Sequence, residues 1–171
     1  MDVAIFRLAV CGRYRRDSLD NCPPSDINQV SSLRSSALHY AVLGGNKDTV
    51  RYFVAKGSDV NAFNVYHESV LHWACKEGNT NIIRFLLQHK ACPNALDSEG
   101  NTPMHWAAEY NHGKVIHLLA EHGGLSSQSI RNEDFRTPIQ VAEMNNSKKA
   151  SRALKKTLFR LPSIEERGLS E

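Results

Sequence analysis

A 33-residue period constrains the fold of this chain more than any other feature. Four six-residue segments align, beginning at Ser36, Ser69, Thr102 and Thr137 and reading SALHYA, SVLHWA, TPMHWA and TPIQVA. Their starts lie 33, 33 and 35 residues apart, and an apolar segment begins 14 residues after each of the first three starts. A unit of this size cannot bury its apolar face alone, so the repeats must stack on one another.

Each unit has the pattern of a turn, a helix, a second turn and a second helix. Ser or Thr opens the first helix as a side-chain cap, and Pro103 and Pro138 occupy its first turn, where no backbone N–H is required. Gly and Asn residues separate the two helices. An insertion of two residues within 123–129 is rich in Gly and Ser, and we expect this loop to protrude. The pattern therefore predicts an all-α repeat protein.

The aligned segments resemble the T-P-L-H-x-A motif of the ankyrin repeat family, over about residues 26–156. The resemblance implies a solenoid of stacked helix–turn–helix units with projecting turns or β-hairpin tips. It predicts a single domain at 1–160, made of a capping half-repeat at 1–30 and repeats at 31–63, 64–96, 97–131 and 132–160, followed by a tail at 161–171. The glycine that the family places at each tip is present only as Gly100. Arg34, His67 and Phe135 replace it, which predicts strained or differently shaped turns.

Composition narrows the class of protein. Hydrophobic residues make up 41% and charged residues 23% of the chain, which excludes collagen-like and wholly disordered sequences. No apolar run approaches the ~20 residues of a membrane-spanning helix. The four cysteines have no paired spacing, which favours free thiols over disulfides or a zinc site. We therefore expect an intracellular protein of the cytoplasm or nucleus.

Histidine recurs once per repeat, at His39, His72 and His105. Packed helices lie about 8–10 Å apart, whereas zinc–nitrogen bonds are about 2.0–2.1 Å long, so histidines of successive repeats cannot share an ion. We expect each histidine to bond the backbone of the adjoining turn instead. The sequence contains no phosphate-binding loop, no nucleophile elbow and no dinucleotide fingerprint, which predicts a protein without catalytic activity, metal or cofactor.

Helical spacing separates two stripes on the first helix of each repeat. One stripe is small and apolar and must face the core; the other mixes aromatic and charged residues. The resemblance implies that the mixed stripe and the adjacent tips line a concave groove. Its predicted partner-binding residues are Tyr40, Trp73, Lys76, Glu77, Trp106, Glu109 and Tyr110 on the helices and Tyr66, Glu68, Glu99, Asn101, Asp134 and Arg136 at the tips. Alternatively, Tyr40 and the two tryptophans pack between repeats and only stabilise the stack.

Positive charge is concentrated near the C-terminal end of the repeats. Between Ser147 and Arg160 there are six bases and no acids, whereas the other 15 bases are outnumbered by 18 acids. The six are Lys148, Lys149, Arg152, Lys155, Lys156 and Arg160. This patch predicts either electrostatic binding of a polyanion or a solvated outer face on the last repeat.

These observations predict a non-catalytic protein–protein interaction module that is monomeric when free. It would act as an adaptor, a scaffold or an inhibitor by occlusion, with a partner protein that the sequence does not identify. The alternative is an electrostatic binder of nucleic acid or of a membrane surface through the basic final helix.

Overall fold

The computed structural model describes residues 4–11 and 29–158, in which short helices follow one another in pairs. The helices are α1 (Ala4–Cys11), α2 (Ala37–Leu43), α3 (Lys47–Ala55), α4 (Val70–Glu77), α5 (Thr80–Gln88), α6 (Pro103–Glu109), α7 (Gly113–Glu121), a 3₁₀ helix (Gly124–Ser129), α8 (Pro138–Met144) and α9 (Lys148–Leu158). Isolated antiparallel bridges join Val30 to Ser36 and Phe63 to Ser69 at the tips. The predicted tail at 161–171 and Arg160 lie outside the described residues.

The helices form two layers that share one core. First helices stack in the order α1, α2, α4, α6, α8, and second helices stack in the order α3, α5, α7, α9. The apolar stripes of both layers meet in one continuous cluster, in which the largest side chains include Phe53, Ile83, Leu86, Ile116 and Leu119. Each such side chain contributes about 1.5–3 kcal/mol when it is fully buried. An all-α repeat solenoid, as the sequence predicts, is therefore confirmed.

A Ser or Thr stands directly before each first helix after α1 and forms a capping box. The side chain of this residue caps the backbone N–H three residues on, and the side chain at that third position returns to the N-cap backbone. The returning residue is histidine in α2, α4 and α6 and Gln140 in α8. Capping by Ser and Thr is predicted by the sequence; the reciprocal role of the histidines is not.

The same histidines tie each repeat to the next one. At His72 the backbone N–H of Ser69 donates to Nδ1 at 3.0 Å, and Nε2 donates to the carbonyl oxygen of Asn101 at 3.0 Å. The corresponding Nε2 contacts join His39 to Glu68 O at 3.2 Å and His105 to Arg136 O at 3.0 Å. A carbonyl oxygen only accepts, so each ring carries its proton on Nε2 and is neutral. Each buried imidazole thus bonds the adjoining turn, as expected from the sequence.

The tips have one shape despite their different residues. Gly100 has φ +72°, and Arg34, His67 and Phe135 adopt φ values of +57°, +55° and +60° at the same position. The turns that lack glycine are therefore strained rather than differently shaped, at a cost of about 1–2 kcal/mol each. A backbone hydrogen bond between neighbouring tips, such as Ser98 N–H to Tyr66 O at 2.9 Å, accompanies this geometry.

The two-residue insertion does not protrude, which corrects the expectation from its Gly and Ser content. The loop that contains the insertion forms the 3₁₀ helix Gly124–Ser129, in which Ser127 and Gln128 are buried. Gln128 Nε2 donates to Thr157 Oγ1 at 2.8 Å, and Ser127 Oγ donates to Asn94 Oδ1. The loop packs because the hydroxyl of Ser127 and the amide N–H of Gln128 find partners on the stack.

Acid should weaken the stack through the three inter-repeat histidines. Burial lowers the pKa of His72 and His105, and it lowers the pKa of His39 from 6.5 to about 4. Unfolded histidine takes up a proton near pH 6.5, whereas the native ring resists protonation until lower pH. The free energy of unfolding is then constant above about pH 7 and falls between pH 6.5 and 4, by about 3 kcal/mol for His39 alone.

We expect His72→Gln to flatten this pH dependence, because glutamine does not titrate and Gln140 already fills the same capping position in α8. Urea unfolding at pH 7.5 and pH 5 measures the effect. The control is His89→Gln, which changes an exposed histidine at the end of α5 that contacts its own helix rather than a neighbouring repeat. Equal pH slopes for the two variants would show that His72 does not contribute to the pH dependence.

Gly113→Ala should destabilise the contact between α7 and α9. An added Cβ would lie 2.6 Å from the carbonyl oxygen of Lys149, which belongs to the backbone of α9 and cannot rotate away. Overpacking of this kind costs about 1–3 kcal/mol, whereas alanine in a helix otherwise gains up to about 1 kcal/mol over glycine. We expect Gly113→Ala to lower the free energy of unfolding measured in urea. The control is Lys114→Ala, which changes an exposed side chain and should stay near the wild-type value. A net gain in stability for Gly113→Ala would exclude the close approach.

Candidate functional site

The predicted aromatic column exists, and it runs along the stack of first helices. Tyr40 and Trp73 hold equivalent places in α2 and α4, with ring centroids 5.9 Å apart, and Phe6 of α1 extends the column at 4.9 Å from Tyr40. In α6 the column continues as Trp106 and Tyr110, 6.4 Å apart. Tyr40 and both tryptophans are half-buried, whereas Tyr110 is exposed.

The two tryptophans are fixed by contacts on one side and open to solvent on the other. Trp73 Nε1 donates to Glu68 Oε2 at 2.8 Å, and Trp106 Nε1 donates to Asp97 Oδ2 at 2.9 Å. Each indole also meets the inter-repeat histidine of the preceding repeat nearly edge-on, at 5.2 Å from His39 and 5.7 Å from His72. The rings therefore pack between repeats and remain partly accessible to solvent.

A shallow cavity of about 180 Å³ opens between the two tryptophans. Its lining residues are Leu43, Glu68, Trp73, Lys76, Glu77 and Trp106. Lys76 Nζ lies 5.8 Å from the centroid of Trp106 and 5.5 Å from that of Tyr110. At an exposed site, each such cation–π contact is worth about 0.5–1 kcal/mol. The ammonium group is thereby held over the column, beside the carboxylates of Glu68 and Glu77.

The tips that flank the groove are built by Asn64 and Asp97, which the sequence analysis missed. Asn64 Oδ1 accepts the backbone N–H groups of Tyr66 and Glu68, at 2.9 and 3.0 Å. Asp97 Oδ1 accepts those of Glu99 and Asn101 in the same way, at 2.9 and 2.8 Å. Both residues are buried. The signal that could have found them is the recurrence of Asn or Asp at 64, 97 and 132, in register with the repeats.

The predicted tip residues differ in how much of their side chain is available. Tyr66 is 51% exposed, and Glu99 is exposed as well. Asn101 is half-buried and donates to Asp97 Oδ2, at 3.3 Å, and to Glu99. Arg136 and Asp134 pair with each other at 3.1 Å. The tip that precedes α8 is exposed too, since Phe135 is 77% exposed there and Asp134 keeps most of its side chain in solvent.

The groove is acidic. Of the thirteen predicted residues five are acids and two are bases, and the buried Asp97 adds a sixth carboxylate beneath them. The pKa of Glu109 is raised, first by partial burial and then by the charges of Glu99 and Asp97, while Lys76 opposes the shift. A carboxyl group whose pKa is raised by neighbouring carboxylates lies close to them, so this end of the groove concentrates negative charge.

The basic patch lies elsewhere, on α9 in the layer of second helices. Lys148, Lys149, Arg152, Lys155 and Lys156 are all exposed there, and Arg160 falls outside the described residues. Lys155 Nζ pairs with Glu143 Oε1 at 3.1 Å. The patch and the groove are therefore separate surfaces.

The described residues contain no group of three or more His, Cys, Asp or Glu arranged to hold a metal ion. In the same residues, no helix has the length and apolar character that crossing a bilayer requires. Cys75, which is buried, and Cys92, which is exposed, are free thiols, and burial raises the pKa of Cys75.

Comparison with known proteins agrees with this architecture. A search of curated proteins gives no match. The family model described as ankyrin repeats (3 copies) matches residues 6–97, 38–131 and 92–158, which together span most of the sequence. Repeats of this kind are generally protein–protein interaction modules. From the matched ranges, the 33-residue period and the stacked helix pairs, the chain belongs to the ankyrin repeat family.

Proposed function

We propose that this chain is a non-catalytic interaction module whose groove binds another protein. The observation that carries the proposal is the aromatic column, half-exposed and held in place by the carboxylates of Glu68 and Asp97. Rigid aromatic side chains are favoured interface anchors because little conformational freedom is lost when a partner covers them. Exposed Tyr66 and Tyr110 provide further contact area.

The charge of the groove indicates a basic partner segment. Glu77, Glu99 and Glu109 are exposed, and they have few cationic neighbours on the same surface. Lys76 is already placed over Trp106 and Tyr110. A lysine or arginine of the partner that enters the cavity beside Trp73 would meet an aromatic face and carboxylates together. Such a segment would associate faster at low salt and more weakly at high salt.

The mode of action would follow from a single modest and largely preformed surface. Binding would be mostly rigid-body, since the repeats share one core. The chain would be an intracellular monomer, in the cytoplasm or nucleus, that acts as an adaptor, a scaffold or an occluding inhibitor. Inhibition would appear as a stoichiometric complex in which the partner loses its activity, whereas scaffolding requires two partners bound at once.

The test is a quantitative pull-down from native lysate, followed by titration of the purified partner with two groove variants and one control variant. Glu99→Gln with Glu109→Gln removes two groove charges while it keeps the shape of both side chains. Tyr110→Ala removes one exposed ring. We expect each change to weaken binding by about tenfold, which corresponds to about 1.4 kcal/mol, with little change in thermal stability.

The control is Asp48→Asn with Glu121→Gln, which removes two exposed carboxylates from the second helices α3 and α7. This pair should bind the partner as the wild type does. A partner that is lost equally with the control pair responds to net charge alone, and one that is retained by all variants binds another surface. Either result would overturn the proposal.

A further inference from the structure

A second surface, lined by cations, opens between the N-terminal end of α7 and one side of α9. The cavity measures about 610 Å³, within the range of small-molecule sites. Lys114, Lys149, Arg152 and Lys156 supply four positive charges around it, and none of its lining residues is an acid. We call this cavity the basic cleft.

The cations of α9 are divided between two sides of the helix. Lys149, Arg152 and Lys156 are spaced by three and four residues, so they share the side that faces α7. Lys148 and Lys155 are spaced by seven residues and lie toward α8, where Lys155 pairs with Glu143. No acid lines the cleft beside these cations, although Arg152 also lines the neighbouring pocket that contains Glu143.

The beginning of α7 adds to the positive potential. Asn46 and Asn79 cap α3 and α5 with their side chains, whereas the side chain of His112 makes no such bond to α7. Its Nε2 instead donates to the carbonyl oxygen of Lys76 at 2.8 Å. Gly113 and Lys114, the first residues of α7, line the cleft, where the helix start contributes partial positive charge.

From these contacts we propose that the basic cleft binds a compact molecule that carries two or three phosphate groups. Lys149 and Lys156 are seven residues apart, about 10 Å along the helix, which suits several phosphates on one small scaffold better than a single anion. The lining contains no Phe, Tyr or Trp on which a nucleic-acid base could stack. Its apolar side chains, Val115 and Ala153, are buried and unavailable for insertion into a membrane.

The probe is inositol 1,4,5-trisphosphate, titrated calorimetrically into the full chain at 150 mM salt. We expect saturable binding of one molecule per chain. Arg152→Gln with Lys156→Gln should weaken binding at least tenfold. Lys148→Gln with Lys155→Gln removes the same number of charges from the other side of the same helix and should change the affinity less than about twofold. All four side chains are exposed, and thermal unfolding verifies that both variants fold.

Two further arms identify the source of the phosphates. Vesicles that contain phosphatidylinositol 4,5-bisphosphate present a similar headgroup on a membrane. If the chain binds these vesicles and the free trisphosphate displaces it from them, the same cleft binds the phosphates of a lipid. Vesicle binding without any response to the free trisphosphate would overturn the proposal. Absence of saturable binding, equal losses in both variants, or binding only to a 20-nucleotide single strand would overturn it as well.

Discussion

The structure depends on one polar contact that recurs between successive repeats, the buried imidazole that joins a helix start to the next tip. At His72 one ring nitrogen accepts the N–H of Ser69 and the other donates to the carbonyl of Asn101. Apolar burial drives the stacking of helices but does not specify their offset. The histidine specifies this offset, because only one alignment of neighbouring repeats satisfies both ring nitrogens in a site that excludes water.

The groove depends on the same contact. The tip that accepts from His39 also carries Glu68, which holds the indole of Trp73, and the ring of Trp73 rests against His39. In the next repeat Asp97 both shapes a tip and holds Trp106. The aromatic surface is thus fixed by groups whose first role is structural. Packing between repeats and exposure to solvent are therefore compatible in the same indole ring, which the sequence alone does not reveal.

The sequence predicts what periodicity controls and misses what depends on individual contacts. Helix starts, the two stripes of α4 and α6 and the histidine contacts all follow from a pattern that is repeated three or four times. The packing of Gln128 against Thr157 follows from no repeat, because the insertion occurs once and its partners lie on α9. Likewise, a count of charges finds the basic patch, yet only the packing of α8 against α9 reveals that Glu143 pairs with Lys155.

The histidine contact has a direction, and this makes the two ends of the stack unequal. Each repeat donates a proton forward to the tip of its successor. At the register of the histidines the first unit carries Phe6, which has no hydrogen-bond donor in its side chain. The carbonyl of the first tip therefore receives no imidazole N–H. The cost is small, because water or backbone can satisfy this carbonyl. At the same register the fourth repeat carries Gln140, which is exposed and bonded within its own turn. Within the described residues, the series of forward contacts therefore stops at the tip that precedes α8, because Gln140 forms no equivalent of the histidine contact there.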